Sequence, residues 1–199
     1  MYTIGTHTDI LDTHAVAMQL WLVRHAQPQV APGVCYGALD VSADPFATQQ
    51  AAQNLGDALP RSLQVISSPL QRCERLTHVL QGLRPDLTYK TDARLAEMNF
   101  GAWEGQPWDA IARFELDAWT DDFAHWRCGG GENVQDFMAR VAAVWDACCA
   151  DKQPTVWITH AGVIRAATLL AQGQRAVQHA TQWPRDACGF GQWRVVEPT

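Results

Sequence analysis

No apolar run in these 199 residues approaches the roughly 20 that a membrane-crossing helix needs. The N-terminus has neither the basic start nor the apolar stretch of a secretory leader, so a cytoplasmic location is expected, with no membrane partner. Six cysteines (Cys35, Cys73, Cys128, Cys148, Cys149 and Cys188) show no paired C-x-x-C spacing and too low a density for a disulfide scaffold; they are expected to stay reduced. Positive charge is in deficit: 15 Lys and Arg against 21 Asp and Glu give a net charge of -6. That balance speaks against a nucleic-acid partner, although it leaves room for one cationic pocket inside an acidic shell. Repeats and linkers are absent too.

What is there has ordinary globular composition, with 47% hydrophobic and 18% charged residues, in a length that suits one domain with a sizeable core. Residues 1–19 form a polar, irregular N-terminal extension, and Met18 stands just before the first strand pattern. The extension is either an upstream segment ahead of a natural start at Met18, or an arm that packs on the body or on a neighbour. A single domain is expected over 18–199.

Beyond the extension, strand and helix patterns alternate. Leu20 to Arg24 (LWLVR) reads as a strand buried on both faces, Pro45 to Leu59 as a helix, and Leu63 to Ser68 as a second strand. Ser68 followed by Pro69 predicts a helix start, a capping hydroxyl and then a proline in the first turn. Leu87 to Thr91 is a short third strand. A polar, tryptophan-rich excursion with short helical pieces, expected to form a small cap, runs over about 98–131. Asn133 to Ala150 reads as an amphipathic helix, with Cys148 and Cys149 as small fillers on it. Thr155 to Thr159 is a buried strand, Val163 to Ala171 a helix, and the segment 189–197 an edge strand. Alternation of this kind implies an α/β fold, a three-layer α/β/α sandwich on a mostly parallel central sheet.

In such sheets ligands sit beyond the carboxyl ends of the strands. The first strand delivers Arg24 and His25 there; the second delivers Ser67, Ser68 and, one turn on, Arg72. The strand at Thr155 delivers His160, Ala161 and Gly162, and the loop after the third strand carries Glu97. These residue types suit phosphoryl transfer. Arginine forks match phosphate oxygens, an imidazole can attack phosphorus to form phosphohistidine, and a second histidine can donate to a nonbridging oxygen. Glycine at a helix start lets backbone amides approach the anion. A carboxylic acid can protonate the leaving alkoxide and later deprotonate water. The inventory calls for no metal and no cofactor.

The blocks LVRHAQP, SSPLQRC, LAEMNFGAWEG, GGGEN and ITHAGVIRA resemble, in order and approximate spacing, the motifs of the histidine phosphatase superfamily, the phosphoglycerate mutase-like fold. The resemblance implies that His25 is the nucleophile, that Arg24 and Arg72 bind phosphate together with His160, Ala161 and Gly162, and that Glu97 is the proton donor; Glu104 competes for that last role. Arg75, Arg84 and Arg165 read as helix-surface or helix-end charges, and His7, His14, His78, His125 and His179 as residues outside the motifs.

There are departures. Many members read RHGET and then an asparagine, where this sequence has Ala26, Gln27 and Pro28 and a position near Ala31. The run PGVCYGALDVSADP, with Tyr36, is similar to a subgroup associated with α-ribazole phosphatases of cobalamin assembly. Glu97 is followed by Met98, where mutases usually carry a basic residue, and the excursion offers aromatics more than arginines. The resemblance therefore implies a phosphatase of a small-molecule phosphate ester, α-ribazole 5′-phosphate being the leading substrate, in preference to a mutase or a broad sugar or nucleotide phosphatase. Gln27, Tyr36, Trp103 and Trp108 are the candidate substrate contacts. The tryptophans of the excursion (Trp103, Trp108, Trp119, Trp126) pack a cap, and one or two could stack on a planar leaving group. A phosphoprotein reader without turnover needs the arginines but not the acid, and a metal-dependent hydrolase needs a carboxylate cluster that the sequence does not show.

Overall fold

The computed structural model describes residues 18–198. The expectations for 1–17, including His7 and His14, lie outside the described residues. Four parallel strands, β1 (Leu20–Arg24), β2 (Gln64–Ser67), β3 (Thr88–Thr91) and β4 (Thr155–Thr159), stand in the order β3-β2-β4-β1. The last strand, β5 (Trp193–Val196), runs antiparallel along β1 and closes that edge. The central strand TVWIT is buried at every position, the signature of a strand covered on both faces.

Helices α1 (Pro45–Ala58) and α2 (Gln71–Leu83) pack against each other on one face, over a core that includes Val23, Leu55, Leu76, Val156 and Ile158. Between β3 and the next long helix the chain makes the expected excursion: short 3-10 turns around one helix, α3 (Arg113–Asp121). The other face of the sheet carries α4 (Val134–Asp151) and α5 (Ala161–Ala171), over Leu22, Phe137, Trp157 and Ile164. Among the described residues no helix is long and apolar enough to cross a membrane.

Local chemistry explains most boundaries. Asp44 accepts a hydrogen bond from the Ala47 amide at 2.7 Å ahead of Pro45, and Asn133 Oδ1 accepts from the Asp136 amide at 2.7 Å; each cap is worth about 1 kcal/mol. One cap differs from expectation. Helix α2 begins at Gln71, and Ser68 does not cap it. The Ser68 hydroxyl is committed to His160 Nε2 at 2.8 Å and otherwise meets only the Leu70 amide at 3.3 Å. Asp40, 31 residues earlier in the chain, accepts from the Gln71 amide at 2.8 Å instead. Helix α5 also starts two residues before the expected Val163, because β4 runs straight into it through His160.

Register then sets the site. Arg24 pairs with Thr159 across β1 and β4, and Ser67 with Ile158 across β2 and β4, so the three central strands end level with one another. His25 and Ser68, the next residues, tie to that edge through Thr159 O at 3.0 Å and Ile158 O at 3.0 Å.

Candidate active site

Beyond this edge lies a cavity of about 520 Å³, walled by Arg24, His25, Tyr36, Arg72, Glu97, Ala161 and Gly162 at one end. His25 is almost fully buried. Its Nδ1 lies 2.7 Å from Ala26 O; a carbonyl only accepts, so Nδ1 carries the proton and donates. The Nε2 lone pair is thereby left available. Burial, and then the positive charges of Arg72 and Arg24, hold the imidazole pKa down to about 3, which keeps the ring neutral at physiological pH.

His160, fully buried at the start of α5, stands with its ring 5.2 Å from that of His25. Arg72 Nε, a donor only, meets His160 Nδ1 at 3.2 Å, so His160 carries its proton on Nε2 and donates it to Ser68 Oγ at 2.8 Å. Burial, with Arg72 and His25, pushes its pKa well below the usual histidine value.

Arg72 is a fully buried guanidinium, and such a group needs its donors satisfied. Nη1 donates to Leu39 O at 2.8 Å and Nη2 to Gly37 O at 2.7 Å. The loop supplying those carbonyls is itself held by Glu104, whose carboxylate accepts from the Ala38 and Phe100 amides at 2.8 Å each and from the Leu39 amide. Gly37 is required there, because a Cβ would fall 1.8 Å from Met98 O. Arg24 lies with Cζ 3.8 Å from the Phe190 ring centroid and donates from Nη1 to Cys188 O at 2.9 Å. Tyr36 places its ring 5.6 Å from Arg72 Cζ.

Glu97 stands in the cavity wall, its Oε2 accepting from the Gly162 amide at 3.0 Å and its Oε1 from the Met98 amide at 3.1 Å. Gly162 therefore serves the carboxylate; its amide is not free for an anion, and a Cβ there would lie 2.2 Å from Glu97 Oε1. Arg140 on α4 fixes the backbone that carries Glu97, donating to Arg94 O and Ala96 O at 2.7 Å and to Glu97 O at 3.1 Å, while it pairs with Glu132 at 2.7 Å.

Gly162 thus does not make the expected phosphate contact, and neither does His160, whose ring nitrogens both have protein partners and which is absent from the cavity wall. Three further expectations are corrected. Gln27 is exposed and lines a separate depression with Phe46 and Phe190, because the chain turns outward after the buried Ala26. Trp103 does not reach the cavity: it is buried behind the wall, edge-on to Trp108 and Trp119. Arg165 is not a surface charge but lines the cavity, half-buried, with its Nη2 donating to Arg185 O at 3.2 Å. One turn of α5 separates it from Ala161, and that i, i+4 spacing is the signal that could have found it. Arg185 and Trp183, also in the wall, sit in an irregular segment without a sequence period.

The rest of the wall is aromatic. Trp108 and Trp119 lie near-parallel, at 14° with centroids 6.5 Å apart, and Phe100, Phe123 and Trp183 complete the surface. Glu104 points into the loop, away from this space. Among the described residues no three His, Cys, Asp or Glu side chains cluster as metal ligands.

The model of the histidine phosphatase superfamily, branch 1, matches residues 20–192. The chain belongs to that superfamily. A glucosyl-3-phosphoglycerate phosphatase of Mycobacterium tuberculosis is 33% identical over 167 residues, 75% of this chain and 73% of the relative. A solved structure of mycobacterial glucosyl-3-phosphoglycerate phosphatase complexed with VO3 superposes with a TM-score of 0.75 at 26% identity, covering 90% of both chains. The protein TTHB049 of Thermus thermophilus gives a TM-score of 0.70 at 29% identity, over 90% of this chain and 94% of that one. The superfamily fold is thus the phosphoglycerate mutase-like one, and the relatives named by activity are phosphatases.

Proposed function

We propose that this chain is a metal-independent phosphomonoesterase of small-molecule phosphate esters, working through phosphohistidine at His25. One observation carries the reading: a buried, neutral histidine presents an unprotonated Nε2 to the cavity that holds Arg24, Arg72 and Glu97. His25 Nε2 attacks phosphorus as the ester P–O bond breaks, and Glu97 gives its proton to the departing oxygen. Glu97 then takes a proton from water, which displaces the phosphoryl group from His25 and releases inorganic phosphate. Arg24 and Arg72 hold the phosphoryl oxygens and offset the charge that builds on them, while His160 braces Arg72 from behind through Nδ1.

A phosphopeptide reader would have no use for an unblocked nucleophile beside an acid. The aromatic wall, with Trp108 and Trp119, suits the benzimidazole of α-ribazole 5′-phosphate, the cobalamin-pathway substrate that the sequence resemblance suggests. The mycobacterial relative is named for a different ester, one that carries a carboxylate. Phosphate release from α-ribazole 5′-phosphate, 3-phosphoglycerate and 4-nitrophenyl phosphate in EDTA, for native protein and His25→Ala, tests the class. Turnover in EDTA that disappears in the variant is expected. Turnover that needs added metal, or survives in His25→Ala, contradicts the mechanism.

A further inference from the structure

Four guanidiniums, Arg24, Arg72, Arg165 and Arg185, line the cavity, against one carboxylate, Glu97. A phosphate monoester brings close to two negative charges at neutral pH, about what Arg24 and Arg72 offset. Arg165 and Arg185 are then left with Glu97 alone, which must be protonated when the leaving group departs. Neither forms an ion pair among the described residues.

Arg165 is also under-satisfied. Its Nε is buried with no hydrogen-bond partner, and its one polar contact is Arg185 O. A half-buried guanidinium left so is costly unless a ligand anion completes it. Burial lowers its pKa, with the Glu97 charge acting in the opposite direction. The residue sits on α5 one turn beyond Ala161 and shares the cavity wall with Glu97, the acid assigned to the leaving group, whose charge acts on it.

Resting on the phosphatase reading, we infer that the leaving group carries a second anion, a carboxylate, and that Arg165, with Arg185 beside it, is the residue that reads it. A carboxylate matches the guanidinium fork and offsets one of the two positive charges that remain. The neutral leaving group of α-ribazole 5′-phosphate would leave both arginines unused.

The test is calorimetric binding to His25→Ala protein, which holds ligand without turnover, using 3-phosphoglycerate and glycerol 3-phosphate, esters that differ by a carboxylate in place of a hydroxymethyl group. Binding of 3-phosphoglycerate is expected to be tighter by roughly 10- to 100-fold, a preference that Arg165→Gln in the same background reduces to near parity. Equal binding of the two esters, or a preference that Arg165→Gln leaves intact, overturns the inference. Equal weakening of both esters by Arg165→Gln overturns it as well, since Arg165 would then be a phosphate ligand. Because binding is read without turnover, the two readings fail separately: loss of discrimination overturns this inference, whereas native protein that discriminates the two esters but releases phosphate from none of the esters tested overturns the phosphatase reading.

Discussion

His25 holds its proton on Nδ1 because Ala26 O takes it, and burial between two arginines keeps the ring neutral. Both facts bear on pH. With the folded pKa at about 3 against an ordinary 6.5, the unfolded chain binds the proton first as pH falls. The stability that neutral His25 allows is complete above pH 6.5 and is lost progressively toward pH 3. His160 acts in the same direction. His25→Gln is therefore expected to lose less urea resistance than native protein between neutral pH and about pH 4.5; an equal loss contradicts the burial argument. Glu97 and Glu104 separate by chemistry. Glu97→Gln should lower kcat by roughly 10²- to 10⁴-fold for an alkyl phosphate, whose alkoxide needs a proton, and by far less for 4-nitrophenyl phosphate, whose phenolate does not. Equal losses on the two esters would remove the acid role. At this scale the sequence brought Arg24, His25, Arg72 and Glu97 to one cavity wall and His160 beside His25, because four of the five end a strand, follow one or open a helix; Glu97 came from the resemblance. Gln27 misled because side chains beyond a strand end have no alternation to aim them, and Trp103 because composition does not tell a wall residue from its backing.

Two elements position the machinery without touching a phosphate ester. The loop over 37–40 gives carbonyls to Arg72 and a cap to α2, and Glu104 ties it down through three backbone amides. Glu104→Gln keeps the shape and halves the acceptors, so KM is expected to rise several-fold, with kcat changed much less. A loss confined to kcat would place Glu104 in the chemistry instead. Arg140 does the same for Glu97, pinning three nearby carbonyls from α4. Arg140→Met should reproduce the leaving-group dependence of Glu97→Gln in weaker form; uniform loss on both esters contradicts that positioning role. Strand and helix boundaries were readable from apolar runs and caps, to within a residue or two at most ends. Two starts are exceptions: the edge strand begins at Trp193 and not at 189, and Ser68 was available as a cap only in sequence, because His160, which claims its hydroxyl, arrives from 92 residues away. Bonds of that kind leave no local trace.

On the scale of the whole molecule, an acidic chain of net charge -6 encloses a cavity with four arginines. Composition left room for such a pocket, and the rule that ligands sit beyond strand carboxyl ends gave its place, which the strand order makes the common carboxyl edge of β1, β2 and β4. The far wall escaped prediction, since Trp183 and Arg185 come from an irregular segment that only the closed fold brings over α5. Everything proposed for this cavity turns on the phosphoryl group passing through His25. Rapid mixing of native protein with a slowly hydrolysed phosphate ester, an alkaline quench that preserves phosphohistidine, and peptide mass spectrometry would trap that step. A phosphoryl group on the peptide containing His25, absent from His25→Ala, is the predicted result. Turnover with no phosphorylated peptide at any time point, or a phosphoryl group carried on His160, would contradict it.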